Sequence, residues 1–303
     1  MRSGSPAEAV GAPSRLRALV VSLRTEQWLK SGALVVAPLF ARRLGDPASL
    51  PRLALGIAAF CLLSSAVYLA NDITDRERDR HHPEKRLRPV AAGEVALQLA
   101  ALTAAVLGLA GLGLASLVGR RFLAVAAAYL LVQVLYTVAL KTTVVLDVFA
   151  IATGFVLRVV AGAEAVAVPV SNWLYLCALL LSLFLALAKR RAELMLLGGE
   201  ASHHRPILGE YSAPLLDQLI TVLSACTVLA YALYTLSPET IEKFGSDRLK
   251  FTIPFVLFGL FRYLYLVHRQ GGGGQPERVL LRDRPTQLNL LAYLAAVGWA
   301  IHR

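Results

Sequence analysis

Long apolar blocks alternate with short charged connections along almost the whole chain. They run near Trp28–Phe40, Leu53–Ala70, Val95–Val118, Phe122–Leu140, Thr142–Val160, Val170–Ala188, Ala213–Leu236, Phe251–Val267 and Thr286–Ile301, nine in all, the first being the shortest. Most approach the roughly 20 residues that cross ~30 Å of hydrocarbon. In lipid a backbone N–H or C=O finds no water, so such a segment closes its hydrogen bonds internally as a helix. The pattern predicts an all-α integral membrane protein, a bundle of about nine transmembrane helices. Residues 15–303 read as a single transmembrane domain without a soluble insertion. Residues 1–14 are rich in Gly, Pro, Ala and Ser and hold no continuous apolar stretch. They are expected to be a flexible tail rather than a cleaved signal peptide. Gly271–Gly274 reads as a flexible stretch in the last polar connection.

Composition agrees. Of 303 residues, 56% are hydrophobic and 17% charged, whereas a soluble domain carries about a quarter charged. The net charge of +11 would suggest nucleic acid in a soluble protein. Here Lys and Arg gather in alternate connections. With the N-terminus inside, they favour the inner side by about two to one. That predicts an inner (cytoplasmic) membrane protein with its C-terminus outside, anionic lipid rather than nucleic acid as its neighbour, and a site on the cytoplasmic face. Cys61, Cys177 and Cys226 fall inside apolar blocks and read as free, buried thiols.

The richest polar segment follows the second block, from Asn71 to Pro89. If the helix continues through Asp79, then Asn71, Asp72, Asp75 and Asp79 share one arc of about 100°. Carboxylates stacked on one face repel, and a cation between them removes the conflict. Hard oxygen ligands suit Mg²⁺, which takes one or two carboxylates plus phosphate oxygens and water. The basic run Lys85-Arg86-Leu87-Arg88 suits phosphate. Together they point to a metal-bound diphosphate. The plainer reading, a solvated loop whose charges only set topology, is disfavoured by the Asn/Asp stripe and its place at a span end.

Other polar residues stand in or beside apolar blocks. Tyr136 and Lys141 close the fourth; Asp147 and Arg158 lie in the fifth, eleven residues apart, about 20° around a helix and ~16 Å along it. They share a face without pairing. Intramembrane charges usually face a polar cavity, so a cavity lined by both is expected; the alternative has Arg158 snorkelling or pairing with Glu164. Lys189 and Arg190 close the sixth block, as an ordinary basic stop or as phosphate ligands. Trp28 reads as an interfacial aromatic and Lys30 as a phosphate candidate. His81 and His82 lack partners at metal spacing, which excludes zinc, and no Gly-rich phosphate loop is present.

The segment Asn71-Asp72-x-x-Asp75-x-x-x-Asp79 resembles the first Asp-rich motif of the UbiA superfamily of intramembrane prenyltransferases. Most of that superfamily has a second Asp-rich motif after the sixth span. Here the stretch from Lys189 to Tyr211 contains no Asp. Instead Ser65-Ala66-Val67-Tyr68, His82-Pro83-x-Lys85-Arg86-x-Arg88-Pro89, Tyr136-x-x-x-Leu140-Lys141, Leu157-Arg158, Ser171-x-Trp173, Lys189-Arg190-x-Ala192-Glu193 and Leu281-Arg282-Asp283-Arg284 resemble one branch, the decaprenyl-phosphate phosphoribosyltransferases. That resemblance implies a soluble donor, 5-phosphoribosyl 1-diphosphate, and a polyprenyl (decaprenyl) phosphate acceptor, with release of diphosphate. In bacteria with arabinan-containing walls this chemistry feeds cell-wall arabinose donors.

The resemblance implies Mg²⁺ as cofactor. Asn71 and Asp75, one turn apart, are the expected ligands, with Asp79 completing the set. Asp79, like Asp72, can instead act through water or contact the ribose hydroxyls, so Asp72, Asp75 and Asp79 form the expected catalytic group. Lys30, Tyr68, Lys85, Arg86, Arg88, Tyr136, Lys141, Lys189 and Arg190 are expected to hold phosphates, while Asp147 and Arg158 shape the inner cavity. Lipid phosphate is largely dianionic at neutral pH, so no strong general base is needed. Two other functions stay open: an aromatic prenyltransferase with a prenyl diphosphate donor, against which the Asp-free stretch argues, and a polytopic transporter, which inverted repeats would mark. A non-catalytic scaffold and a homo-oligomer are also left open.

Overall fold

The computed structural model describes residues 15–197, 206–269 and 276–301. The expected tail, residues 1–14, and the Gly271–Gly274 stretch lie outside them. Among the described residues every regular element is helical. In chain order these are α1 (Arg15–Ser22), α2 (Val36–Phe40), α3 (Leu50–Thr74), α4 (Arg76–His81), α5 (Pro89–Ala92), α6 (Leu97–Val118), α7 (Arg120–Val138), α8 (Leu146–Ala165), α9 (Asn172–Leu197), α10 (Ala213–Leu236), α11 (Pro238–Phe244), α12 (Ile253–Arg269), α13 (Pro276–Arg282) and α14 (Arg284–Ile301). Short 3₁₀ segments link several of them.

Among the described residues seven segments are long and apolar enough to cross a membrane: α3, α6, α7, α8, α9, α10 and Arg248–Arg269, which joins a 3₁₀ turn to α12. The chain is a multi-pass membrane protein. The other two expected spans fall short of that measure for different reasons. The first is a 3₁₀ run, Thr25–Val35, followed by α2. At ~2 Å per residue the run alone covers about 22 Å. Its start lies beside the site, where Arg24 pairs with Asp72, and just past its end Arg42 donates to the Phe244 carbonyl at 3.1 Å. It therefore traverses the bundle without being an α-helix. The last, α14, carries Thr286, Gln287 and Asn289 near its start. It runs antiparallel to α12, with Asn289 donating to the Phe255 carbonyl at 3.0 Å and Val297, Ala300 and Ile301 packing against Phe244 and Leu249.

Lipid is as apolar as leucine, so helices associate through close packing of small residues rather than through expulsion of water. The two central helices show this. The apolar window of α8 is 61% buried and that of α3 56%, against 17% for α6 and α7. Ala150, Ala152, Gly154, Ala161, Gly162, Ala163 and Ala165 give α8 its slim interior faces. On α6, a Cβ at Gly111 would sit 2.8 Å from Leu63 on α3. The tightest approach is at Gly162, where a Cβ would meet the Leu34 carbonyl oxygen at 1.9 Å. Backbone cannot rotate away as a side chain can. Gly162→Ala is expected to cost about 1–3 kcal/mol or more and to displace the 3₁₀ run, read as a lower unfolding temperature in detergent.

Candidate active site

Polar side chains collect where α3 ends. The helix stops at Thr74, and Asp75 takes φ −94°, ψ 4°, the sparsely allowed bridge region that active-site residues often occupy. Asp75 N–H still donates to the Asn71 carbonyl, and Asp79 N–H to the Asp75 carbonyl, both at 2.8 Å. Thus α4 resumes almost at once, but the single helix expected through Asp79 is broken at Asp75. The break divides the expected stripe. Asn71 Oδ1 accepts from Thr137 Oγ1 at 2.6 Å and Asp75 Oδ1 accepts from Lys141 Nζ at 2.8 Å, so this pair faces the end of α7. Asp72 and Asp79 are buried and share Arg88, whose Nη1 reaches Asp72 Oδ1 at 3.2 Å and Asp79 Oδ2 at 2.5 Å. Arg24 also donates to Asp72 Oδ1. Burial pushes the Asp79 carboxyl up, and Arg88 and Lys85 pull it back.

The turn after α4 is shaped by His82, which is buried and whose Nδ1 accepts from the Glu84 and Lys85 N–H groups at 3.2 and 3.3 Å. This ring organises backbone rather than metal. Lys85 lies close enough to Asp79 to act on its charge, whereas Arg86 is exposed on the same 3₁₀ turn. Across the site, Lys30 Nζ lies 3.4 Å from Tyr68 Oη, which donates to Gln27 Oε1 at 3.1 Å. The Arg24 guanidinium sits over the Tyr68 ring, 5.0 Å from its centre. Lys189 is within electrostatic reach of Lys30, Tyr68 and Glu193. The Asn71/Asp75 edge and the Asp72/Asp79 edge are therefore each accompanied by cations.

Two expected groups behave differently. Asp147 and Arg190 do not line an open cavity; they hold each other. Asp147 is 0% exposed, and Arg190 Nε donates to its Oδ2 at 2.6 Å. Arg190 Nη1 reaches Glu193 at 2.7 Å and Nη2 reaches Tyr136 Oη at 3.2 Å. All three guanidinium nitrogens thus have protein partners. Tyr211 donates to Asp147 Oδ1 at 2.9 Å and accepts from Val145 N–H at 2.8 Å. Burial above all pushes the Tyr211 phenol up to about 12, so it stays a donor. Val145 has φ 69°, a costly conformation for a β-branched residue, and this network holds it there at the head of α8. Arg158 lies elsewhere on α8, buried, donating to the Gly154 carbonyl at 2.9 Å, Ser64 at 3.0 Å and Tyr129 at 2.9 Å. Its guanidinium stacks 4.6 Å from the Tyr129 ring centre. The expected cavity shared by Asp147 and Arg158 is replaced by two separate networks, because neighbouring helices supply partners that spacing on one helix cannot show. No carboxylate pairs with Arg158 among the described residues, Glu164 included.

Sequence reasoning passed over Arg24, Gln27, Thr137 and Tyr211 as site residues. Arg24 stands 48 residues before Asp72, and Tyr211 64 after Asp147. No local signal joins them.

Among the described residues, no group of three or more His, Cys, Asp or Glu side chains forms a metal cage. Mg²⁺ needs none, since phosphates and water supply most of its six oxygens. Asn71 and Asp75 on one edge, with Lys141 alongside, fit that demand.

The description "UbiA prenyltransferase family" matches residues 32–274. The chain belongs to this family. UbiA relatives include proteins named decaprenyl-phosphate phosphoribosyltransferase. That of Mycolicibacterium smegmatis is 33% identical, covering 96% of this chain and 95% of the relative. That of Mycobacterium tuberculosis is 35% identical, covering 95% and 96%. That of Corynebacterium glutamicum is 32% identical, covering 94% and 86%. A solved UbiA homolog from Archaeoglobus fulgidus, bound to GPP and Mg²⁺, shares the fold at TM-score 0.72 and 20% identity, covering 94% of this chain and all of that one. The UbiA fold, expected from the Asp-rich motif, is borne out over nearly the whole length.

Proposed function

We propose that this UbiA-family chain transfers 5-phosphoribose from 5-phosphoribosyl 1-diphosphate to a polyprenyl phosphate of the decaprenyl kind, releasing diphosphate. The observation that carries the reading is the end of α3, where the edge bearing Asn71 and Asp75 is flanked by Lys141. It is supported by relatives named decaprenyl-phosphate phosphoribosyltransferase that match over 94% to 96% of this chain.

In this mechanism the bond from ribose C1 to the diphosphate oxygen breaks, and a bond from C1 to the lipid phosphate oxygen forms. Asn71 and Asp75 would hold Mg²⁺, which would supply charge neutralisation for the leaving diphosphate; Asp79, expected as a third ligand, stands apart from that pair, buried and bonded to Arg88. Lys141 keeps Asp75 oriented and adds positive charge beside the leaving group. On this reading Lys30, with Tyr68 and Lys189, and Lys85 with Arg86 hold phosphate oxygens. Arg190, Asp147, Tyr136 and Tyr211 act through one another, fixing the start of α8 next to Lys141. Arg158 braces α8 against α3 and α7. Displacement from the face opposite the diphosphate turns an α donor into a β product. On this reading the site faces the cytoplasmic side of a bacterial inner membrane, a side that the bias of the basic connections supports; the soluble donor enters there and the lipid tail stays in the bilayer.

The test uses purified protein, radiolabelled 5-phosphoribosyl 1-diphosphate, decaprenyl phosphate and Mg²⁺. Label is expected to enter the organic phase and to fail to do so with EDTA. If instead a prenyl diphosphate and an aromatic acceptor react while this pair does not, the chain is an ordinary prenyltransferase.

A further inference from the structure

Arg24, Asp72 and Arg88 line a cavity of about 220 Å³ on the α1 and α5 side of the site, together with Val21, Ser22, Glu84, Leu87 and Pro89. It is smaller than the ~300–1,000 Å³ of a site for a whole drug-sized ligand. It suits one phosphate group and part of what carries it.

The hydrogen bonding inside this cavity is uneven. Both arginines converge on one oxygen, Asp72 Oδ1. The other, Oδ2, is enclosed and accepts no hydrogen bond among the described residues. Among the described residues Arg24 gives only Nη2 to a carboxylate, and Arg88 only Nη1. A guanidinium has five N–H donors in a fork that matches a carboxylate or a phosphate two at a time, and neither arginine makes such a fork here. Guanidinium donors that no carboxylate takes up among the described residues therefore remain on two arginines that line the cavity. Glu84 also lines it, but its side chain is exposed to water. Arg24 has φ 50°, a left-handed backbone rare outside glycine and concentrated at binding sites. Its side chain, stacked on Tyr68, is held facing the cavity.

We propose that the space between Arg24 and Arg88 is a subsite for a phosphate monoester, separate from the diphosphate edge at Asn71 and Asp75. The proposal rests on the phosphoribosyl reading, in which both reactants bear such a group: the 5-phosphate of the donor and the phosphate end of the lipid. A prenyl diphosphate donor would need only the other edge. The break at Asp75 thus creates two edges, each accompanied by cations, matching a reaction with phosphate at both ends of the sugar. The exposed apolar side chains of Val21 and Leu87 at the rim leave either reactant a route to the cavity.

The test compares the full-length wild type with Arg24→Gln and Arg24→Lys, measuring kcat and KM for each reactant while the other is saturating. Arg24→Gln is expected to raise KM for one reactant about 10–100-fold, the scale of a lost charge-assisted hydrogen-bond pair, with kcat within about threefold. Arg24→Lys should recover part of the loss. Inhibition by inorganic diphosphate should not move. If inhibition by ribose 5-phosphate weakens in step, the monoester is the donor's; if only the decaprenyl phosphate KM rises, it is the lipid's. Unchanged KM for both in a folded, active variant overturns the subsite. A wild type that transfers no label defeats the phosphoribosyl reading instead. In that case ribose 5-phosphate must still raise the melting temperature of wild type and not of Arg24→Gln, or the subsite falls as well.

Discussion

Asp75→Ala is expected to lower the proposed phosphoribosyl transfer by about 10³-fold or more while the protein still folds. Asp75 sits at a helix break, partly exposed, with one oxygen on Lys141 and the other unassigned. Its removal frees Lys141 from its tether and, on the proposed reading, takes away a hard oxygen ligand for Mg²⁺. A lost group that stabilises developing charge costs about 10²–10³ in rate, and loss of a metal ligand adds to that. The structural cost is small, because Asp75 is not enclosed and the backbone bonds from Asp75 to Asn71 and from Asp79 to Asp75 do not use its side chain. The check is label transfer with a melting curve on the same sample. Transfer within tenfold of wild type would remove Asp75 from the reaction, and a collapsed melting curve would make its role structural.

The reverse pattern is expected at Asp147. Asp147→Ala leaves Arg190, fully enclosed, short of its buried counter-ion, although Glu193 and Tyr136 remain. Breaking a buried ion pair by removing one partner costs about 3–5 kcal/mol, and the surviving partners place the loss at the lower end. Tyr211 also loses its acceptor, and with it the clamp on Val145. Replacing Asp147 and Arg190 together by leucines should recover part of the stability, since neither member of the enclosed pair is then stranded, although Glu193 gives up its bond from Arg190. Denaturant titration in detergent micelles measures both. A stable Asp147→Ala protein that has lost only catalysis would return Asp147 to the substrate-contacting group expected from sequence.

The site was legible in part. The Asn71-to-Arg88 segment announces itself because hard oxygen ligands and phosphate-binding cations lie within one stretch of chain, next to a span. Lys141 could be named from its place at a span end, and the structure sets it on Asp75. The Asp147–Arg158 cavity shows where such reasoning fails. Both residues were read on one helix, but each found partners on others: Arg190 and Tyr211 for Asp147, Tyr129 and Ser64 for Arg158. Arg24 carries no local signal of a site role, yet it bonds Asp72.

The sequence by itself determined that this is a helical membrane protein of the UbiA family with an acidic and basic end. Hydrocarbon forces apolar stretches of that length into helices whatever their neighbours are. The motif spacing is local and survives without a fold. Only the tertiary structure decided that the first traverse is a 3₁₀ run pressed against Gly162, that the Asp stripe parts at Asp75 into two edges, and which charges serve each other. Those depend on helices meeting across tens of residues of sequence. A buried charge takes whichever partner packing brings within hydrogen-bond reach, and spacing along one helix does not say which that is.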